Sequence, residues 1–461
     1  MARVIELNDI GITLVEDGRV LATSPGYALL EDSGALLGEA ARAVARVQPL
    51  KVNHQFWHEL STQVRLQGVA GAGSYADLAY LHLRELLQGQ AAATPTTFLV
   101  PTATGLEQLG LLRAIVQAAG IEAARFVDTA VAAARALPGS GKQFYVDLEL
   151  HRATVTELHA AGHIERGRVL TASGAGQLAF LQRTLEFIAR DMVRETRFDP
   201  LRQGDSEQAL FDALPQLVRE AAVNGRVTIA LGGAAGRQRV ELNQEQLIAA
   251  TAPLVEGILT QLHRLRRAGE TSTIGVGAQA AALPGLAQRL AELPDTECYV
   301  LEPASAIEAV SGAFAVTDGD TAERVTALPS VPEAARTTLG ATAVLAAQAI
   351  APAAPSHLLY RGQAVALDGE WLTIGTAAGS AAGTAPSAAS RSLDVAGATA
   401  GVSRSHCTLL RQGRDLLVFD HSSYGTWLND ERIAHRARLR AGDRLRLGAP
   451  GIVLELIAIE S

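Results

Sequence analysis

Residues 401–433 read GVSRSHCTLLRQGRDLLVFDHSSYGTWLNDERI, and this stretch decides the fold of the C-terminal part of the chain. It is flanked by LTIGT at 372–376 and LRAGDRLRLG at 439–448. From about Leu358 onward short alternating apolar and polar runs recur every roughly eight to twelve residues, with turn residues between them. That rhythm predicts a small β-sandwich occupying 357–461. It differs sharply from the preceding 317–356, where Ala, Thr and Val mix with Pro329, Pro332, Pro352 and Pro355. That composition reads as a semi-extended linker with one weak helix around Ala341–Ile350.

The sandwich segment resembles the forkhead-associated (FHA) family. The family pattern is a Gly-Arg after the third strand, then Ser-Arg-x-His, then Ser-x-Asn-Gly-Thr two strands later. Gly375, Ser403, Arg404, His406, Gly425, Thr426 and Asn429 stand unaltered. The resemblance implies a phosphothreonine reader on a protein partner. A near-dianion needs hydroxyl, amide and guanidinium donors on loops at one end of a rigid sandwich. Ser403 would supply a hydroxyl, Arg404 a charge and Ser423 another phosphate-facing group; His406 would fix the loop. Two positions depart from the family. Its phosphate-gripping arginine is Thr376 here, and its peptide-holding asparagine is Tyr424. Losing the arginine removes a charge-assisted bond of about 1.5–3 kcal/mol, with Arg391 or Arg404 the candidates to compensate. An Ala/Gly/Ser-rich insertion from Ala377 to Ser390 lies beside the expected binding edge. A sandwich that binds partners without phosphate stays open beside the phosphothreonine reading.

Working toward the N-terminus, residues 1–316 alternate strand-like runs with helices and predict a mixed α/β domain. The runs include Arg3–Leu7, Ile12–Val15, Thr97–Val100, Gln143–Leu148, Thr154–Leu158, Val227–Ala230 and Thr273–Val276. Helical patterns span Leu106–Ala119, Gln177–Thr196, Glu207–Glu220 and Gln244–Ala268.

Four landmarks in this region resemble the actin-like ATPase superfamily in its DnaK-type branch. Asp9-Ile10-Gly11-Ile12-Thr13 stands where the family has its first phosphate hairpin. Leu29–Ala41 is similar to its strand ending in Val-Gly-x-Ala-Ala. Val100-Pro101 and then AAGIEAARFVDTAVAAA resemble its crossover, leading into Tyr145-Val146-Asp147-Leu148 at the second hairpin. Gly275-Val276-Gly277-Ala278 with Leu283-Pro284-Gly285-Leu286 is similar to the adenosine loop, and EPASAIEAVSGAFAV to the closing helix. The resemblance implies a two-lobed, ribonuclease-H-like α/β fold with Asp9, Gly11, Thr13, Asp147, Gly275 and Gly277 at a nucleotide. It also implies Asp9 and Asp147 at a magnesium ion, with ATP or ADP as cofactor.

The chemistry expected of that family looks eroded. Active relatives carry Asp-x-Gly-Gly-Gly-Thr at the second hairpin, whereas this chain has Asp147-Leu148-Glu149-Leu150-His151-Arg152-Ala153-Thr154, with no glycine. Glu149 would repel phosphate. The family's water-polarising glutamate aligns near Thr129, and its lysine near Phe56–Leu60, where Trp57 and His58 stand. Phosphoryl transfer depends on positioning and charge neutralisation. These features favour a pseudo-ATPase over slow hydrolysis.

Bulk properties narrow the remaining classes. Only Cys298 and Cys407 occur, neither with zinc-ligand spacing, which fits a reducing cytoplasm. No run of about 18 apolar residues offers a membrane helix. The 11 arginines against 10 acids after residue 357 leave no basic footprint for nucleic acid. His54 and His58, at i, i+4 on an expected helix, read as a solvated face rather than a zinc site. Gly232-Gly233, without a downstream Lys-Ser/Thr, reads as a hairpin turn. The sequence therefore points to a non-catalytic adaptor that docks on a protein partner, phosphorylated on threonine or not, with a degenerate nucleotide clamp. The alternatives are an ATP-hydrolysing assembly factor and a filament-forming actin relative.

Overall fold

The structure is a computed structural model. It describes residues 3–90, 94–121, 124–233, 236–311, 324–332, 336, 339–345, 355–367, 371–376, 390–395, 401–412 and 415–458. Packing divides the chain into two units. The first comprises 1–259, 273–290 and 297–344; the second comprises 260–272, 291–296 and 345–461.

Two sheets organise the first unit. One is built from β1 (Arg3–Glu6), β2 (Ile12–Glu16), β3 (Arg19–Ser24), β4 (Thr96–Val100) and β5 (Ala124–Asp128). The other contains β6 (Gly141–Leu148), β7 (Arg152–Ala161), β8 (His163–Ser173), β9 (Ser272–Val276) and β10 (Thr296–Leu301). The first runs β3-β2-β1-β4-β5 and the second β8-β7-β6-β9-β10. In both, an antiparallel hairpin precedes a strand that returns parallel to the first. The strand order is therefore repeated. The Thr96–Val100 strand is buried along its whole length, as a central parallel strand covered on both faces should be.

Between the sheets lies the helix Thr129–Ala134, TAVAAA, with all six residues buried. Asp128 caps it by accepting from the Ala130 amide at 3.1 Å. Its short side chains let Val4, Val15 and Leu99 of one sheet share a core with Tyr145, Leu158 and Leu301 of the other. The helices Tyr75–Leu86 and Leu106–Ala118 contribute to a separate core with β1 and β4. A third core joins the helices Gln177–Thr196 and Gly204–Asn224 to the hairpin Arg226–Gly233/Gly236–Asn243, with Gly232 and Gly233 at its tip.

Three stretches differ from the sequence reading. Residues 54–58 run from an irregular stretch into a turn at 56–59 and are not helix. The Asn53 side chain accepts from the amides of Gln55 and Phe56, a local bond that competes with helix formation. The helix expected over Gln244–Ala268 ends at Leu265, and Arg267–Ala268 is a strand. Ala341–Val344 is an edge strand beside β10, not the start of a helix; residues 346–350 lie outside the described residues. Within the same 317–356 span, Arg324–Val325 and Ala327–Pro329 add edges to the two sheets.

The second unit is a β-sandwich. One sheet orders Ser390–Asp394, Trp371–Gly375, Cys407–Gln412, Asp415–Asp420 and Arg436–Leu439. The other orders Arg267–Ala268, Glu431–Ile433, Thr426–Leu428, Arg444–Leu447, Ile452–Ile457, His357–Tyr360 and Gln363–Ala366. Leu372, Ile374, Leu409, Val418, Leu445 and Leu454 fill the space between the sheets, together with Ala268. Arg267–Ala268 lies parallel to Arg432–Ile433. It is fixed there by Arg266, whose Nη1 donates to Glu431 Oε1 at 2.7 Å and whose Nη2 donates to the Pro294 carbonyl at 2.7 Å.

Candidate functional site

The loops between the sandwich strands form one candidate site. His406 is wholly buried. Its Nδ1 accepts from the Ser403 amide at 3.0 Å, so Nε2 carries the proton and donates to the Gly425 carbonyl at 3.0 Å. Burial holds the His406 pKa below its ordinary value, which keeps this neutral tautomer. One imidazole thus ties together the two loops that carry Ser403 and Ser423. A second bond joins them directly: the Ser423 amide donates to Ser403 Oγ at 3.2 Å. Asp420 holds the base of the later loop by accepting from Thr426 Oγ1 at 2.8 Å and from the Ser422 amide at 3.0 Å. The Gly425 amide donates to Ser422 Oγ at 2.7 Å.

Gly375 is required by a close approach of backbone. A Cβ there would lie 2.0 Å from the Arg404 carbonyl oxygen. Next to it the Thr376 amide donates to the Ser403 carbonyl at 3.2 Å, so the third loop joins the same cluster. Thr376, Ser403, Arg404, Ser423 and Tyr424 are thereby gathered at one end of the sandwich. Ser423, Tyr424 and Arg404 are exposed, and the Arg404 guanidinium has no hydrogen bond or ion pair among the described residues. Arg391 is held elsewhere, donating to the Ala366 carbonyl. Asn429 is a turn residue: its Nδ2 donates to Asp443 and its Oδ1 accepts from the Arg444 amide. The insertion at 377–389 lies outside the described residues.

The first unit contains a cleft of about 550 Å³. Gly11, Thr13, Asp147 and Gly277 line it, with Glu6, Tyr145 and the residues 301–308. Gly277 lies against the Tyr145 hydroxyl, which stands 2.6 Å from where a Cβ would be. Gly275 does not reach the cleft; its missing side chain makes room for Leu137. Asp9 also lies away from the cleft lining, 4% exposed, with Oδ1 accepting from the Leu150 amide at 2.7 Å. Asp9 and Asp147 therefore do not face one common opening.

The turns expected to cradle phosphate spend amides on internal bonds. The Ile10 amide donates to Asn8 Oδ1 and the Gly11 amide to the Asn8 carbonyl. In the second turn the Leu150 amide serves Asp9, and the Glu149 amide serves the Arg152 carbonyl. Glu149 faces Arg152 in two bonds of 2.9 and 2.8 Å and does not line the cleft. Four carboxylates, Glu6, Asp147, Glu302 and Glu308, line the cleft, and no described Lys or Arg does. Burial lifts Glu6 to about 7. Burial, then Glu149 and Glu6, hold Asp147 well above the ordinary carboxylate range. The volume and Gly277 suit a nucleoside-sized molecule. The carboxylate lining and the occupied turn amides do not fit a triphosphate. Among the described residues no group of three or more His, Cys, Asp or Glu could hold a metal ion.

Sequence reasoning missed a buried relay beside the first sheet. Trp57 Nε1 donates to His82 Nδ1 at 3.0 Å, so His82 Nε2 donates to Ser24 Oγ at 2.7 Å. Burial lowers the His82 pKa to about 4. Only the sequence distance between the partners hides it, Trp57 and His82 being 25 positions apart.

Residues 377–448 match the FHA domain, a family whose members typically bind phosphothreonine on protein partners. The C-terminal unit thus carries an FHA domain, and a protein-interaction role follows from it. No curated protein matches the chain. No described helix is long and apolar enough to cross a membrane, and both cysteines are free and buried.

Proposed function

We propose that this protein is a non-catalytic adaptor whose FHA loops dock on a phosphothreonine of a protein partner. The observation that carries the reading is the His406 tie. It brings Ser403 Oγ, the Ser423 loop and the unpartnered Arg404 guanidinium together at one exposed edge. Hydroxyl, amide and guanidinium donors are what a phosphate dianion requires. Thr376 supplies no charge, so Arg404 takes the main role in phosphate binding.

In the same reading the first unit is a divergent actin-type fold. The repeated strand order and the cleft bordered by the first hairpin turn and by Asp147 of the second hairpin support this. Its carboxylate lining and occupied turn amides favour a scaffold or clamp over ATP turnover. The test is fluorescence anisotropy with phosphothreonine peptides and their unphosphorylated counterparts on the full chain. Binding that needs the phosphate and drops at least about tenfold in Arg404→Ala supports the proposal. Equal binding of both peptide forms overturns the phosphate reading.

A further inference from the structure

The outer face of the larger sandwich sheet carries a row of side chains that the loop site does not use. Cross-strand partners run Arg267, Arg432, Trp427, Arg446 and Val453 over five adjacent strands. Their neighbours Ala268, Ile433, Leu428, Leu445 and Leu454 are buried, so alternation turns all five outward. The Arg446 guanidinium lies 4.1 Å from the centre of the Trp427 ring, and that of Arg432 lies 5.8 Å from it. Arg432 and Arg267 stand directly opposite each other, both exposed, and neither has a hydrogen bond or ion pair through its guanidinium among the described residues. Two like charges on neighbouring strands, with no acid paired to either among the described residues, leave that end of the row net positive. Glu455, on the same face, sits 3.8 Å from Arg444.

The row continues into the loop site. A Cβ on Gly425 would meet Arg432 Nε at 2.8 Å, so the Arg432 guanidinium packs on the backbone two residues from Ser423. Five strands at about 4.8 Å spacing span roughly 19 Å, the length of about six extended residues.

We propose that this arginine row is a second docking surface, which takes an acidic segment of the same partner beside its phosphothreonine; this rests on the loop reading above. Charge complementarity selects the occupant, because two exposed guanidinium groups without acidic partners among the described residues favour an anion. With guanidinium groups from both neighbouring strands over its ring, Trp427 positions cations and is not an open stacking platform for a base. The net charge of −8 for the whole chain also opposes a long polyanion. A short acidic peptide fits both facts.

The test uses the full chain and three fluorescent peptides. One has phosphothreonine with an Asp/Glu-rich flank, one phosphothreonine with a neutral flank, and one the acidic flank with unmodified threonine. The acidic flank is expected to tighten phosphopeptide binding about tenfold at low salt. Arg267→Gln/Arg432→Gln is expected to erase that gain. Arg267→Gln alone, one strand further from the loop, is expected to remove part of it while leaving the neutral phosphopeptide unchanged. Equal affinity for both phosphopeptides, or a gain that survives the double substitution, overturns the second surface and leaves the phosphate site standing. Arginine-dependent binding of the unmodified acidic peptide, without any phosphate preference, overturns the loop reading and keeps the surface. An oligonucleotide that binds the row more tightly than the acidic peptide overturns the choice of occupant.

Discussion

Replacing Arg266 by methionine should unfold the sandwich far more readily than its surface arginines suggest. The guanidinium and the Glu431 carboxylate are 1% and 5% exposed, 2.7 Å apart. Burial pushes the Arg266 pKa down and the Glu431 pKa up, so pairing does not fully offset the loss of water for either group. Removing one member strands the other charge, a loss of about 3–5 kcal/mol. The Pro294 carbonyl also loses its donor in Arg266→Met. Removing both charges is a different matter, and Arg266→Met/Glu431→Leu should recover most of the loss or exceed the parent. His263 Nε2 also lies 3.6 Å from Glu431 Oε1. Urea unfolding followed by tryptophan emission is a suitable assay, because Trp371 and Trp427 both lie in this unit. A loss below about 1 kcal/mol in the single variant, or a double variant no better than it, would refute the argument.

Other perturbations probe the remaining sites. Gly375→Ala forces a Cβ to 2.0 Å from the Arg404 carbonyl; it should cost about 1–3 kcal/mol or more and weaken phosphopeptide binding in anisotropy titrations. His406→Phe leaves the Ser403 amide and the Gly425 carbonyl unpaired, about 1–3 kcal/mol for each buried group, measurable by chemical unfolding. Burial raises the Glu6 pKa in the folded protein to about 7, from an ordinary value of 4.5. Its contribution to stability is therefore present below pH 4.5 and lost as the pH rises through 7. Glu6→Gln should thus gain on the parent between pH 5 and pH 8 by at most about 3 kcal/mol, less the screening that solvent in the cleft provides, as read from melting temperatures across that range.

What the sequence disclosed follows from how far each interaction reaches along the chain. The Ser-Arg-x-His run and Gly375 were legible because strand alternation and a backbone approach impose residue types locally. The hairpins around Gly11 and Leu150 were legible for the same reason. The His54/His58 pair misled, since an i, i+4 spacing carries no helix once Asn53 captures the amides of Gln55 and Phe56. Gly275 and Gly277 looked equivalent in sequence, yet one accommodates Leu137 and the other borders the cleft. The Arg266–Glu431 pair spans 165 positions and the Trp427 row draws on strands from both ends of that span. No local pattern encodes such pairings, which arise only when the sheet assembles.

The strand Arg267–Ala268 has a kinetic consequence during synthesis. It leaves the ribosome well before the Glu431–Ile433 strand it pairs with exists. At about 5–20 residues per second, its edge and the Arg266 charge wait for on the order of ten seconds or more without their partners. Closing the sandwich sheet is therefore a late, long-range event, and the interval before it is when a holdase or a neighbouring nascent chain has access to that edge.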